Sequence, residues 1–138
     1  MASESVPPPQ HAEAEAMLLA SLMEVGAYVA EGVILATCNR TELYLLADTL
    51  AAGQAAGLRF LAELASLRPE ALEPFVVAYR QDEAVRHLCR VAAGLESMVL
   101  GEHEILGQVR AAFDAAEAAG TAGVATRRLF QQALAVGG

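Results

Sequence analysis

Apolar and polar positions follow two rhythms along the chain, one helical and one of β type. Residues 12–25 are a run of good helix formers with Gly26 as a stop, and they predict a helix. Residues 1–11 contain Pro7-Pro8-Pro9 and few apolar groups, which predicts a flexible tail. Gly32 then opens a β-type run, Val33-Ile34-Leu35. The polar cluster Thr37-Cys38-Asn39-Arg40-Thr41 interrupts it before a second run, Leu43-Tyr44-Leu45-Leu46. Two short apolar runs around a polar turn predict a hairpin with residues 37–40 at or near its tip. Leu50–Leu67 has amphipathic helical spacing, weakened by Gly53 and Gly57 and ended by Pro69. Pro74 precedes a strand-like run, Phe75–Tyr79. Asp82 is a cap for a helix running to about Ala93, with Gly94 after its end. A short segment, Leu95–Gly101, leads into a long helix from Glu102 to Ala119. Gly120 and Gly123 separate that from a last helix, Val124–Val136. No internal repeat is visible. The pattern predicts an α+β domain over residues 12–138: a small, mostly antiparallel sheet packed with helices and ending in long C-terminal helices.

Composition agrees with an ordered chain. Of 138 residues, 55% are hydrophobic and 19% charged, which excludes a disordered chain and fits one domain. A second full nucleotide-binding domain has no room. The longest apolar run, Ala16–Met23, is interrupted by Ser21 and falls short of the roughly 20 residues a membrane span needs. The start Met-Ala-Ser-Glu-Ser lacks the basic and apolar regions of a signal peptide. With only two cysteines, a cytoplasmic address without a disulfide scaffold is expected. The final Ala135-Val136-Gly137-Gly138 lacks capping logic, so the end reads as cut from something longer.

The net charge of −8, with nine Arg and no Lys, argues against broad nucleic-acid coating. Residues 1–58 carry seven acids and one Arg, and residues 59–138 carry ten acids and eight Arg. Any anionic partner would therefore meet local arginines, with Arg80, Arg86, Arg90, Arg127 and Arg128 the candidates.

Cys38 has two readings. It is either a small apolar strand residue or a reachable thiol at a turn, where Arg40 would favour the nucleophilic thiolate. Arg40 itself reads as a solvated charge or as a clamp for a carboxylate. On the helix from Asp82, Val85, Leu88, Cys89 and Ala92 form one stripe. At about 100° per residue, His87 falls nearly opposite that stripe, with Glu83 and Arg90. It is either a solvated histidine or one that borders a cleft and exchanges protons with a substrate. Cys89 reads as core packing. On the long helix, Ile105, Val109, Ala112, Phe113 and Ala116 form the buried face, and Glu104 and Gln108 share a flank. Ser97, Glu102 and Glu104 stand near its start, where Glu102 equally suits the helix dipole. His103 has Gly107 rather than a ligand at i+4, so no metal site is expected. There is no GxGxxG, Walker-type or GxSxG motif.

Two long stretches carry a resemblance to a known family. Thr37-Cys38-Asn39-Arg40-Thr41-Glu42-Leu43-Tyr44 resembles the nucleophile motif of glutamyl-tRNA reductases. The stretch from His87 through Ser97 and Gly101-Glu102-His103-Glu104-Ile-Leu-Gly-Gln108 to Val109 resembles their second signature. Leu129-Phe-Gln-Gln-Ala-Leu134 matches as well, so the likeness runs from about Gly32 to the last residue.

The resemblance implies the first step of tetrapyrrole (porphyrin, 5-aminolevulinate) synthesis. Cys38 would attack the ester of glutamyl-tRNA(Glu) to form a thioester, and NADPH would reduce it to glutamate-1-semialdehyde. It implies His87 as the second catalytic residue. Thr37, Cys38, Asn39, Arg40, Ser97, Glu102, His103, Glu104 and Gln108 would bind the glutamyl group. The family's homodimers and a downstream aminomutase are the implied partners, with no membrane. Departures accompany the match. The family's first strand and its Ser-His-Lys-Thr-Ala-Pro stretch have no counterpart in Met1–Gln10. Position 104 is Glu where Gln is common. The NADPH-binding and dimerisation domains are absent, so acylation without reduction is expected of these residues. A non-catalytic tRNA-binding module of the same fold is the alternative.

Overall fold

Pro8 and Pro9 stand in the first turn of helix α1 (Pro8–Val25), where a missing N–H costs no bond and a fixed φ suits the helix. The helix thus takes in residues 8–11, which the sequence pattern assigns to the tail. The computed structural model describes residues 8–25, 29–37, 40–95 and 104–138. Cys38, Asn39, Ser97, Glu102 and His103 lie outside the described residues, as does most of the predicted Leu95–Gly101 segment.

Strands β1 (Val29–Ala36) and β2 (Thr41–Ala47) form the predicted hairpin. They pair antiparallel from Ala36↔Thr41 to Val29↔Ala47, with a register shift between Val29 and Glu31. Successive residues face opposite sides of the sheet, so each strand feeds two apolar layers. Val33, Leu35 and Tyr44 pack against α4 (Asp82–Ala92), α5 (Glu104–Ala119) and α6 (Val124–Gly137) through Leu88, Val91, Ile105, Val109 and Phe130. Ile34 faces the other way, toward Leu19 of α1 and Phe60 of α2 (Leu50–Ala65). The result is a hairpin between two helical layers, an α+β arrangement with long C-terminal helices as the pattern predicts.

The two glycines that weaken α2 on propensity grounds are where it approaches β2 closely. A Cβ at position 53 would lie 2.9 Å from that of Ala47, and one at position 57 would lie 3.4 Å from Leu45. Thr49 caps the helix by accepting from the Ala52 N–H at 3.0 Å. Its end differs from the expected stop. Ser66, at φ 57°, terminates it, with the Leu67 N–H on the Ala62 carbonyl at 2.9 Å. Pro69 instead opens a short helix, α3 (Pro69–Leu72).

The strand-like run Phe75–Tyr79 is not a strand. A 3-10 turn over Glu73–Phe75 passes into chain without ladder bonds, where Phe75 is 81% and Val77 73% exposed. Apolar β-formers make a strand only beside an unpaired edge, and this segment lies against none among the described residues. Asp82, the expected cap of α4, is its first helical residue. Gln81 precedes it at φ 49° without capping it, and Asp82 sits where an acid complements the helix dipole.

The connection between α5 and α6 covers the outer edge of β1. The Gly32 N–H donates to the Thr121 carbonyl at 2.8 Å. Glu31 reaches the N-terminus of α6, whose N-cap, Gly123, has no side chain of its own. The Glu31 carboxylate accepts the Thr126 N–H and hydroxyl, each at 2.8 Å, and the Ala125 N–H at 3.4 Å. Burial pulls this carboxyl upward, but the hydrogen bonds from Thr126, Ala125 and Gly123 together outweigh it. They hold its pKa below the ordinary carboxylate value.

Candidate functional site

The hairpin tip is closed by a reciprocal pair of bonds. The Thr37 N–H donates to the Arg40 carbonyl at 2.8 Å, and the Arg40 N–H donates to the Thr37 hydroxyl at 3.2 Å. Thr37 thereby takes, with its side chain, a bond that a plain hairpin gives to its carbonyl. Cys38 and Asn39 are the residues between these two in sequence.

Beyond the tip, the period of two puts Arg40, Glu42 and Tyr44 on one face. That face meets α4. One Glu42 oxygen, Oε2, accepts from Arg40 Nη1 at 3.1 Å and lies 2.8 Å from His87 Nε2. The other, Oε1, accepts from the Tyr44 hydroxyl. The side chains of Arg40, Glu42 and His87 are only 16%, 18% and 14% exposed, which removes much of the competing water. Tyr79 stacks on the His87 ring at 4.5 Å, with 19° between the planes. Here the exposed 76–80 chain finds its use: it delivers an aromatic lid to the histidine.

Tyr44 joins this cluster to the core. Its ring meets Phe130 edge to face at 5.5 Å, and Phe130 in turn stacks on Phe113 at 5.6 Å. Burial, then the charge of Glu42 and the hydrogen bond to it, push the Tyr44 phenol well above its ordinary pKa, so it stays a donor.

Of the residues singled out from sequence, Thr37, Arg40 and His87 come together on this side of the hairpin. His87 is mostly buried against Glu42 and Tyr79 rather than solvated. Glu104 and Gln108 lie on the first turns of α5, exposed and half-buried respectively. Among the described residues, no hydrogen bond or ion pair joins either to the Glu42 cluster. Glu42, Tyr44 and Tyr79 receive no role from the sequence pattern. The available signal was an acid at an inward strand position, with Arg and Tyr two residues away on either side. Cys89 packs at the margin of the core, as expected. Among the described residues, no group of three His, Cys, Asp or Glu could hold a metal ion, and no helix is long and apolar enough to cross a membrane. An apolar cavity of about 220 Å³ lies on the opposite face of the hairpin, lined by Leu19, Met23, Leu43 and Phe60 among others.

Comparisons with known proteins show the family. Residues 6–138 match the family model described as "Glutamyl-tRNAGlu reductase, N-terminal domain". A glutamyl-tRNA reductase of Bacillus velezensis is 50% identical over 109 residues, covering 79% of this chain and 24% of the relative. One of Herpetosiphon aurantiacus is 44% identical over 124 residues, covering 90% of this chain and 30% of the relative. The solved structure of glutamyl-tRNA reductase from Methanopyrus kandleri superposes with a TM-score of 0.65 at 35% identity, over 85% of this chain and 26% of that one. The chain thus spans about a quarter of the length of the relatives it matches. On the extent of the family match and the identity of these relatives, the chain belongs to the glutamyl-tRNA reductase family and corresponds to its N-terminal domain.

Proposed function

We propose that residues 12–138, extended back through Pro8 by α1, form the acyl-accepting unit of a glutamyl-tRNA reductase acting in tetrapyrrole synthesis. The Cys38 thiolate attacks the ester carbonyl carbon of glutamyl-tRNA(Glu). A carbon–sulfur bond forms, the carbon–oxygen bond to the ribose breaks, and the thiol proton ends on the ribose hydroxyl. The product is a glutamyl thioester. Arg40 suits a carboxylate of the glutamyl group, because a guanidinium matches a carboxylate in shape and charge. His87 moves the proton. Thr37 and Asn39 border the nucleophile in sequence. Ser97, Glu102, His103, Glu104 and Gln108 are assigned to the glutamyl group on the motif alone.

The observation that supports this best is the Arg40–Glu42–His87 cluster, two residues along the chain from Cys38. It supplies a carboxylate-binding cation, Arg40, close to the candidate nucleophile in sequence, and a proton carrier, His87, on the same carboxylate.

NADPH would supply the hydride for reduction to the semialdehyde. The described residues do not fit it, since they contain no glycine-rich phosphate loop. The aldehyde product would pass to the aminomutase.

The test is incubation with glutamyl-tRNA carrying labelled glutamate, followed by acid quench. A thioester-linked label in the wild-type chain and none in Cys38→Ser is the expected result. Label that persists in Cys38→Ser would overturn the assignment of the nucleophile. Salt-sensitive tRNA binding with no label at all would favour the non-catalytic binding module.

A further inference from the structure

Glu42 has more partners than an ion pair needs. A carboxylate only accepts hydrogen bonds, so every group on it must donate. Arg40 Nη1 and the Tyr44 hydroxyl both donate to it. The third partner, His87 Nε2, sits 2.8 Å from Oε2 and is therefore the protonated ring nitrogen in both the neutral and the charged imidazole. In the neutral ring the lone pair then lies on Nδ1. Among the described residues Nδ1 has no hydrogen-bond partner. Tyr79 covers one ring face, which opposes the rotation that would exchange the two sides of the ring.

We propose that Glu42 is a positioning residue, which fixes His87 as the Nε2–H tautomer and holds Arg40 on the same oxygen, leaving Nδ1 as the proton-accepting atom. This rests on the acyl-transfer function proposed above. In that reaction the thiol proton passes to Nδ1 as sulfur bonds to the carbonyl carbon. The imidazolium then gives the proton to the departing ribose oxygen, so the ring ends as it began. A histidine free to adopt the other tautomer would present Nδ1 as a donor for part of the time and fail in the first step. Tyr44 contributes by occupying Oε1, which leaves Oε2 as the oxygen that faces both His87 and Arg40.

The proposal can be read without substrate. Long-range ¹H–¹⁵N spectra of the ¹⁵N-labelled chain, above the titration of histidine, distinguish the two tautomers. A single Nε2–H species for His87 is expected in the wild type. Glu42→Gln, whose amide can donate as well as accept, should give a mixture or the Nδ1–H form. Acylation by glutamyl-tRNA in that variant should fall in maximal rate by about 10- to 100-fold. Half-saturation should rise separately, through the loosened Arg40. A wild-type His87 found as Nδ1–H or as a mixture overturns the proposal, and so does a Glu42→Gln spectrum that matches wild type. The wild-type spectrum decides the matter even if Glu42→Gln does not fold. Tyr44→Phe keeps the Nε2 bond and should keep the tautomer, and its loss there would also overturn the proposal. A fixed Nε2–H tautomer together with no thioester in any variant would leave Glu42 in its place and refute the acyl-transfer function instead.

Discussion

Removing the Glu31 carboxylate should cost stability by an amount that depends on pH. Glu31 is the cap of α6 in all but sequence position, since it accepts the Thr126 N–H and hydroxyl at 2.8 Å across 95 residues of chain. The third bond, from the Ala125 N–H, is 3.4 Å long and counts for little. A capping side chain is worth about 0.5–2 kcal/mol, and a negative charge at a helix N-terminus about 0.3–1 kcal/mol of that. The carboxylate is only partly buried, so water replaces some of what is lost. Glu31→Ala should therefore cost about 1–1.5 kcal/mol at neutral pH, and Glu31→Gln, which keeps the shape, about 0.5–1 kcal/mol. The folded-state pKa of Glu31 is lowered, net of a burial effect that raises it. Its charge-dependent contribution is thus complete above the pKa of an unfolded glutamate and disappears as pH falls through the lowered folded value. Urea unfolding followed by circular dichroism, at neutral pH and again in acid, measures the gap between wild type and Glu31→Gln. The gap should be open at neutral pH and closed in acid, with the denaturant slope unchanged. An equal gap at both pH values, or none at neutral pH, would refute the electrostatic account of this cap.

Three substitutions test the packing. Phe130→Ala, at a fully buried ring between Tyr44 and Phe113, should cost about 3–5 kcal/mol in the same unfolding assay. Gly53→Ala gains helix propensity but drives a Cβ to 2.9 Å from that of Ala47, so α2 must shift off β2. A net loss of about 1 kcal/mol is expected, and a gain would show the contact to be slack. Gly107→Ala is the control, because among the described residues nothing lies within 4 Å of the added atom in α5. It should raise stability by about 0.5–1 kcal/mol.

Much of this fold is legible in the order of residues, and the exceptions share a cause. The hairpin and the helices after it follow from periodicity and from glycine stops such as Gly94 and Gly120, both at positive φ. Local pattern cannot report what lies alongside. Phe75–Tyr79 has strand composition, but a strand needs a neighbour, and the one that would pair with it is not encoded within the segment. Gly53 and Gly57 look like helix weakness until β2 is set against them. The cap of α6 comes from Glu31 and no local motif contains it. The site shows the same limit. Cys38, Arg40 and His87 stand out by type and by the family's motifs, whereas Glu42 matters only because His87 arrives from 45 residues away.

The Tyr44 side chain belongs to two worlds, with its ring among Phe130 and the core and its hydroxyl on Glu42. The consequence is one of inheritance. An exposed loop site can keep its chemistry while the interior drifts, because the two are mechanically separate. Here a change of ring at position 130 would tilt Tyr44, turn Glu42 and so alter the histidine. Sequence drift in the interior would be felt as a change in rate before it was felt as a loss of fold. Interior positions such as 113 and 130 would be held by selection on chemistry as well as on stability.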